Sequence, residues 1–111
     1  MAFSKANKYN KEEQWVNHYT RAISYPARQE ILKKLYTDGP CTVNELRMNH
    51  LISKATFSEH LKILRNSHLI TFKEEFPSTY YALDKEQFNL AKKYLGDFLD
   101  FFGNQETTRD S

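Results

Sequence analysis

The side chains best suited to chemistry lie between Ser53 and Ile70, in SKATFSEHLKILRNSHLI, and they suit hydrogen bonding to nucleic acid rather than catalysis. Lys54, Ser58 and Lys62 recur at i, i+4 and i+8, one line along a helix, with Ala55, Thr56 and Glu59 beside them near its start. Short side chains let such a helix approach base edges in a major groove about 12 Å wide, while hydroxyls and amines supply hydrogen bonds. On the other side Phe57, Leu61, Leu64 and His68 recur at four, three and four residues as a stripe for burial, and Ser53 stands where an N-cap belongs. From Ser53 to Lys73 four basic residues (Lys54, Lys62, Arg65, Lys73) stand against Glu59 alone, in a chain of net charge +2. Positive charge is therefore concentrated here, the balance expected of a segment that meets phosphates. An ordinary surface helix also has a charged outer face, so the neighbouring elements must decide.

Other chemistries find little support. The three glycines form no phosphate-cradling loop, and no nucleophile stands with a base and supporting residues, so no enzyme is expected. A single cysteine, Cys41, makes neither an intrachain disulfide nor a cysteine-cluster metal site and suits a reducing compartment. His18, His50 and His68 fall on different elements, and no histidine pair has the i, i+4 spacing that puts two imidazoles on one helix face. No metal or cofactor is expected.

The elements around the candidate segment have clear punctuation. Trp15, Val16, Tyr19, Ala22 and Ile23 share one face of a first helix that runs from Lys11 and stops near Ser24, since Tyr25 precedes Pro26. Pro26 suits the first turn of a second helix, whose stripe is Ala27, Ile31, Leu32 and Leu35 and whose end is Asp38-Gly39-Pro40. Thr42 and Glu45 have capping-box spacing and open a short third helix with Val43 and Leu46 inward and Met48 adjoining. Asn49 to Ile52 then form a turn short enough to hold that helix and the next at a fixed angle. LITFKEEF and STYYALD alternate apolar and polar residues and predict a two-stranded hairpin around Pro77-Ser78. Asp84, with Gln87 as its reciprocal capping partner, opens a last helix reaching about residue 102. The expected architecture is mainly α with a small β-hairpin, a winged helix-turn-helix of order α-α-α-α-β-β-α.

At 111 residues the chain supports one domain with a modest core, expected over residues 11–102, between a flexible arm at 1–10 and a flexible tail at 103–111. It carries 8 Phe, 7 Tyr and 1 Trp, gathered toward the hairpin and the two ends, which suggests further burial in a dimer. The last helix repeats this theme. Phe88, Ala91, Leu95, Phe98 and Phe102 form one apolar line and Leu90, Tyr94 and Phe101 another, so it needs its own domain on one side and, most simply, a second copy on the other. No apolar run approaches the roughly 20 residues that span a bilayer, and the first residues lack the apolar core of a secretory signal. A cytoplasmic location is expected.

PARQEILKKL (26–35), TVNEL (42–46), SKATFSEHLKIL (53–64) and HLITFKEE with TYYALD (68–84) resemble the ArsR/SmtB family of dimeric bacterial repressors, over roughly residues 11 to 102. The resemblance implies a homodimer built from the first and last helices, with two recognition helices in successive major grooves of a palindromic operator and an effector that releases DNA. Two-fold symmetry sets those helices about 34 Å apart. It places base contacts on Lys54, Ala55, Thr56, Ser58 and Glu59, phosphate contacts on Lys62, Arg65 and Lys73, and further contacts on Ser53 and His60, although His60 sits between the DNA face and the core face and reads equally as a packed or backbone-bonded histidine. It places the dimer interface on Trp15, Val16, Tyr19, Leu90, Tyr94, Leu95, Phe98, Phe101 and Phe102. The family's metal chemistry is not matched. Its paired thiolates fall on Thr42 and Asn44, with Cys41 one position early, and residues 84–102 offer Asp84 and Glu86 but no histidine. The wing tip, Glu74-Glu75-Phe76-Pro77-Ser78, replaces the family's arginine or glycine with carboxylates that repel phosphate. Two other readings stand beside this one. Trp15, Tyr19, Tyr94 and Phe98 could line a pocket for an apolar small-molecule effector, and the fold could serve as a protein-interaction module that has lost DNA binding.

Overall fold

The computed structural model describes residues 8–48 and 50–103. The element order is α1 (Lys11–Ala22), α2 (Pro26–Asp38), β1 (Cys41–Thr42), α3 (Val43–Arg47), α4 (Lys54–Asn66), β2 (Ile70–Glu75), β3 (Ser78–Leu83) and α5 (Lys85–Asp100). This is a winged helix-turn-helix. Most of the expected arm and tail, residues 1–7 and 104–111, lies outside the described residues, as does Asn49.

Helix starts follow the side chains that can satisfy free backbone amides. Asn10 with Glu13, and Thr42 with Glu45, form reciprocal capping boxes on α1 and α3. Pro26 occupies the first turn of α2, and Gly39, at φ 79°, ends it in a conformation that favours glycine. Asp84 caps α5 by accepting from the Gln87 amide at 3.1 Å. The Gln87 side chain does not reach back as expected; its Oε1 accepts from Tyr19 Oη at 3.1 Å instead.

A third strand was not expected. The sheet order is β1-β3-β2, antiparallel throughout, with Cys41 opposite Tyr81 and Thr42 opposite Tyr80. The N-cap conformation of Thr42, ψ 166°, is extended, and the residues entering α3 use it to pair with the hairpin. The core gathers Tyr19, Ala22, Ile31, Leu32, Leu35, Leu46, Phe57, Leu61, Leu64, Leu69, Ile70 and Ala91 beneath the sheet and between the helices. On α2, Arg28 is buried where Ala27 was expected, Ala27 being half-buried. Met48 is exposed. His68 does not continue the α4 stripe, because the chain leaves the helix at Asn66 and His68 is exposed at φ 70°, with Leu69 and Ile70 filling the core after it.

Helices α1 and α5 pack antiparallel, with Tyr19 meeting Gln87 and Trp15 stacking on Tyr94 at 6.2 Å between ring centroids. Trp15 also stacks on Tyr19 at 5.7 Å. Trp15, Tyr19 and Tyr94, three of the residues that could have lined an apolar effector pocket, therefore stack on one another. An open groove of about 1370 Å³ lies elsewhere, between α2 and the start of α5, with Leu32, Tyr36, Leu83 and Phe88 among its walls.

Candidate nucleic-acid interface

Helix α4 divides cleanly into two faces. Phe57, His60, Leu61 and Leu64, at i, i+3, i+4 and i+7, turn into the core, and the remaining turns leave Lys54, Ala55, Thr56, Ser58, Glu59, Lys62, Arg65 and Asn66 exposed. Ser53 fixes the start of the helix. Its Oγ accepts from the Thr56 amide at 3.1 Å and donates to Thr56 Oγ1 at 3.0 Å, so the Thr56 hydroxyl hydrogen is left to point outward. Basic side chains and a helix N-terminus on one exposed surface favour an anion.

Two of the three cations assigned to phosphates are held in place. The Arg65 guanidinium lies 4.1 Å from the Phe72 ring centroid, a cation–π contact that joins α4 to the wing. A cleft of about 360 Å³ beside α4 brings Ser58, Lys62, Arg65 and Asn66 together with Tyr81 of β3. Lys73 is less free for DNA than expected, since its Nζ lies 3.2 Å from Glu75 Oε2. That pair is exposed, so water and salt weaken it. Phe76 at the wing tip is 100% exposed between the carboxylates and Pro77.

Two assigned residues stand elsewhere. His60 is 8% exposed and its Nδ1 lies 3.1 Å from Arg28 Nη1, so it belongs to the core and not to the surface that could meet DNA. Its place three residues after Phe57 and four before Leu64 puts it on the buried stripe. Tyr19, assigned to a dimer interface, is 1% exposed because it is enclosed by α5 of its own chain. Leu90, Phe98, Phe101 and Phe102 are exposed as an interface requires, whereas Trp15, Tyr94 and Leu95 are half-buried against the core and Val16 is half-buried on α1.

Three residues packed around α4 were not singled out from the sequence. Tyr81 and Asn66 line the cleft beside α4, where the sheet packs near the helix. Arg28 had a visible signal, since Arg28, Ile31, Leu32 and Leu35 also follow i, i+3, i+4 and i+7. Among the described residues no group of three or more His, Cys, Asp or Glu could hold a metal. Cys41 is buried, and burial pushes its thiol pKa up, away from the thiolate form that binds metals.

A short helix, a second helix with an exposed basic face and an antiparallel hairpin define a winged-helix protein. The model of the arsR family of bacterial regulatory proteins matches residues 25–71. The transcriptional repressor SdpR of Bacillus subtilis (strain 168) is 33% identical over 69 residues, which cover 62% of this chain and 76% of SdpR. Among solved structures, an ArsR family transcriptional regulator superposes with a TM-score of 0.70 at 24% identity, covering 84% of this chain and 95% of its own. A possible transcriptional regulator for arsenical resistance gives 0.66 at 26% identity, covering 79% and 95%. The chain belongs to the ArsR family of bacterial transcriptional regulators. It is a DNA-binding regulator and not an enzyme.

Proposed function

We propose that the chain is a cytoplasmic repressor that binds a palindromic operator as a homodimer, with α4 of each subunit in the major groove. The observation that carries this reading is the two-faced α4, its apolar face locked in the core and its short, basic face exposed beside a capped N-terminus. Lys54, Ala55, Thr56, Ser58 and Glu59 read base edges, with Glu59 able to accept from cytosine N4. Lys62 and Arg65 hold phosphates, Lys73 adds a contact when it leaves Glu75, and Ser53 contributes by fixing the first turn of α4, its hydroxyl hydrogen being given to Thr56. The repressor role is supported by the likeness to SdpR, itself a transcriptional repressor. The homodimer is supported by the apolar side chains left exposed along α5. The proposal includes no metal or cofactor and assigns no small-molecule effector.

The acidic, exposed wing tip favours a competing role as a protein-interaction module. Selection of bound duplexes from random-sequence DNA separates the two. The expected result is a two-fold symmetric site whose half-sites lie one helical turn apart, and failure to enrich any sequence favours the interaction module.

A further inference from the structure

Arg28 is a charged side chain in the core, 5% exposed, and its guanidinium spans three elements. Nε donates to the Ala22 carbonyl at 2.8 Å, and Nη2 donates to the Arg21 carbonyl and to Ser24 Oγ, both at 3.2 Å. The two carbonyls close the last turn of α1, where the helix dipole favours a cation. Nη1 reaches across to His60 Nδ1 on α4 at 3.1 Å. An arginine has donors only, so Nδ1 must present its lone pair, and His60 is the neutral tautomer with its hydrogen on Nε2. A proton added at Nδ1 would set N–H against N–H between two cations with little water to separate them.

We infer that Arg28 is a positioning residue for DNA binding, which ties the end of α1 to α4 through a neutral His60, and that protonation of His60 loosens α4 and releases DNA. This rests on the reading of α4 as the DNA-contacting helix.

The surroundings of His60 favour the neutral form. Burial comes first, then Arg28 from α2 and His50 from the turn before α4, and together they lower its pKa from the ordinary 6.5 against the opposing pull of Glu59 on its own helix. The Tyr25 ring, 5.4 Å away, completes the enclosure and also lies under the Arg28 guanidinium at 4.7 Å. With a lowered pKa the folded chain binds fewer protons than the unfolded one. The contact's contribution is therefore present above pH 6.5 and is lost as pH falls through the lower folded value.

The test measures the Kd of a fluorescent duplex, recovered by selection at pH 7.5, from pH 7.5 to 5.5 at constant ionic strength. Wild type is compared with His60→Asn, whose amide oxygen can accept near the place of Nδ1 and does not titrate. Wild type should weaken by up to about tenfold per pH unit once His60 takes its proton, while the variant stays within about twofold. Equal slopes overturn the coupling. If His60→Asn fails to fold, nitrogen-15 NMR of the wild-type imidazole decides. A titration accompanied by lower amide protection factors along α4 supports the inference, and a titration with unchanged protection overturns it. The double variant Lys54→Glu/Lys62→Glu distinguishes the two levels. Loss of the duplex by that variant at pH 7.5, with equal slopes in the other pair, refutes the coupling alone; retention refutes the reading of α4 and the DNA release built on it.

Discussion

Ser53 shows how one hydroxyl sets the reading surface, because it holds both the amide and the side-chain oxygen of Thr56 at the first turn of α4. Ser53→Ala should cost about 1 kcal/mol in urea unfolding and weaken DNA binding beyond that loss, since Thr56 is then free to rotate. An unchanged unfolding midpoint would show that the cap contributes nothing. Cys41 should behave as a packing residue. Its Sγ lies 3.4 Å from the Gly39 carbonyl in a buried site, and burial raises its thiol pKa. Reaction with a thiol reagent at pH 7.5 should therefore be slow and track unfolding, and rapid modification of the native protein would contradict this. At this scale the sequence was legible where a side chain acts on its own helix, as at Ser53, Thr42 and Asp84. It was misleading at Arg28 and His60, whose spacing marks them for burial but whose chemistry suggests solvent; only the contact between α2 and α4 resolves that conflict.

Each helix was legible from its apolar period and its punctuation, and α2 ends at the glycine that the sequence marks. β1 was not legible, since two residues carry no periodicity and their pairing is set by Tyr80 and Tyr81, nearly forty positions away. The face of α4 was legible except for the chain's exit from the helix, where His68 turns outward. Phe57 anchors that face at full burial, so Phe57→Ala should destabilise the protein by about 3–5 kcal/mol in denaturant unfolding. A change below about 1 kcal/mol would mean that α4 is not seated by its core side.

For the whole molecule, the two-faced apolar pattern of α5 was legible, but not which line faces inward. α1 decides it, taking Ala91, Tyr94 and Leu95 and leaving Phe98, Phe101 and Phe102 exposed, Phe101 at 81%. Phe98→Glu/Phe101→Glu should therefore sediment as a monomer and lose affinity for a two-fold duplex while each subunit remains folded; a dimer of unchanged strength would move the interface elsewhere. Operator affinity should fall by about three to five decades between 50 and 200 mM salt, and a shallow slope would remove the phosphate contacts from the account. An aromatic-rich chain of this kind also faces a hazard beyond its choice of partner. β2 lies at an open side of the sheet, where an unpaired strand invites another strand to add. Lys73, Glu74 and Glu75 place three charges in succession along it, all exposed. The carboxylates that make the wing a poor phosphate ligand therefore guard the sheet against edge-to-edge aggregation, and a wing redesigned to grip DNA by neutralising them should be a less soluble protein.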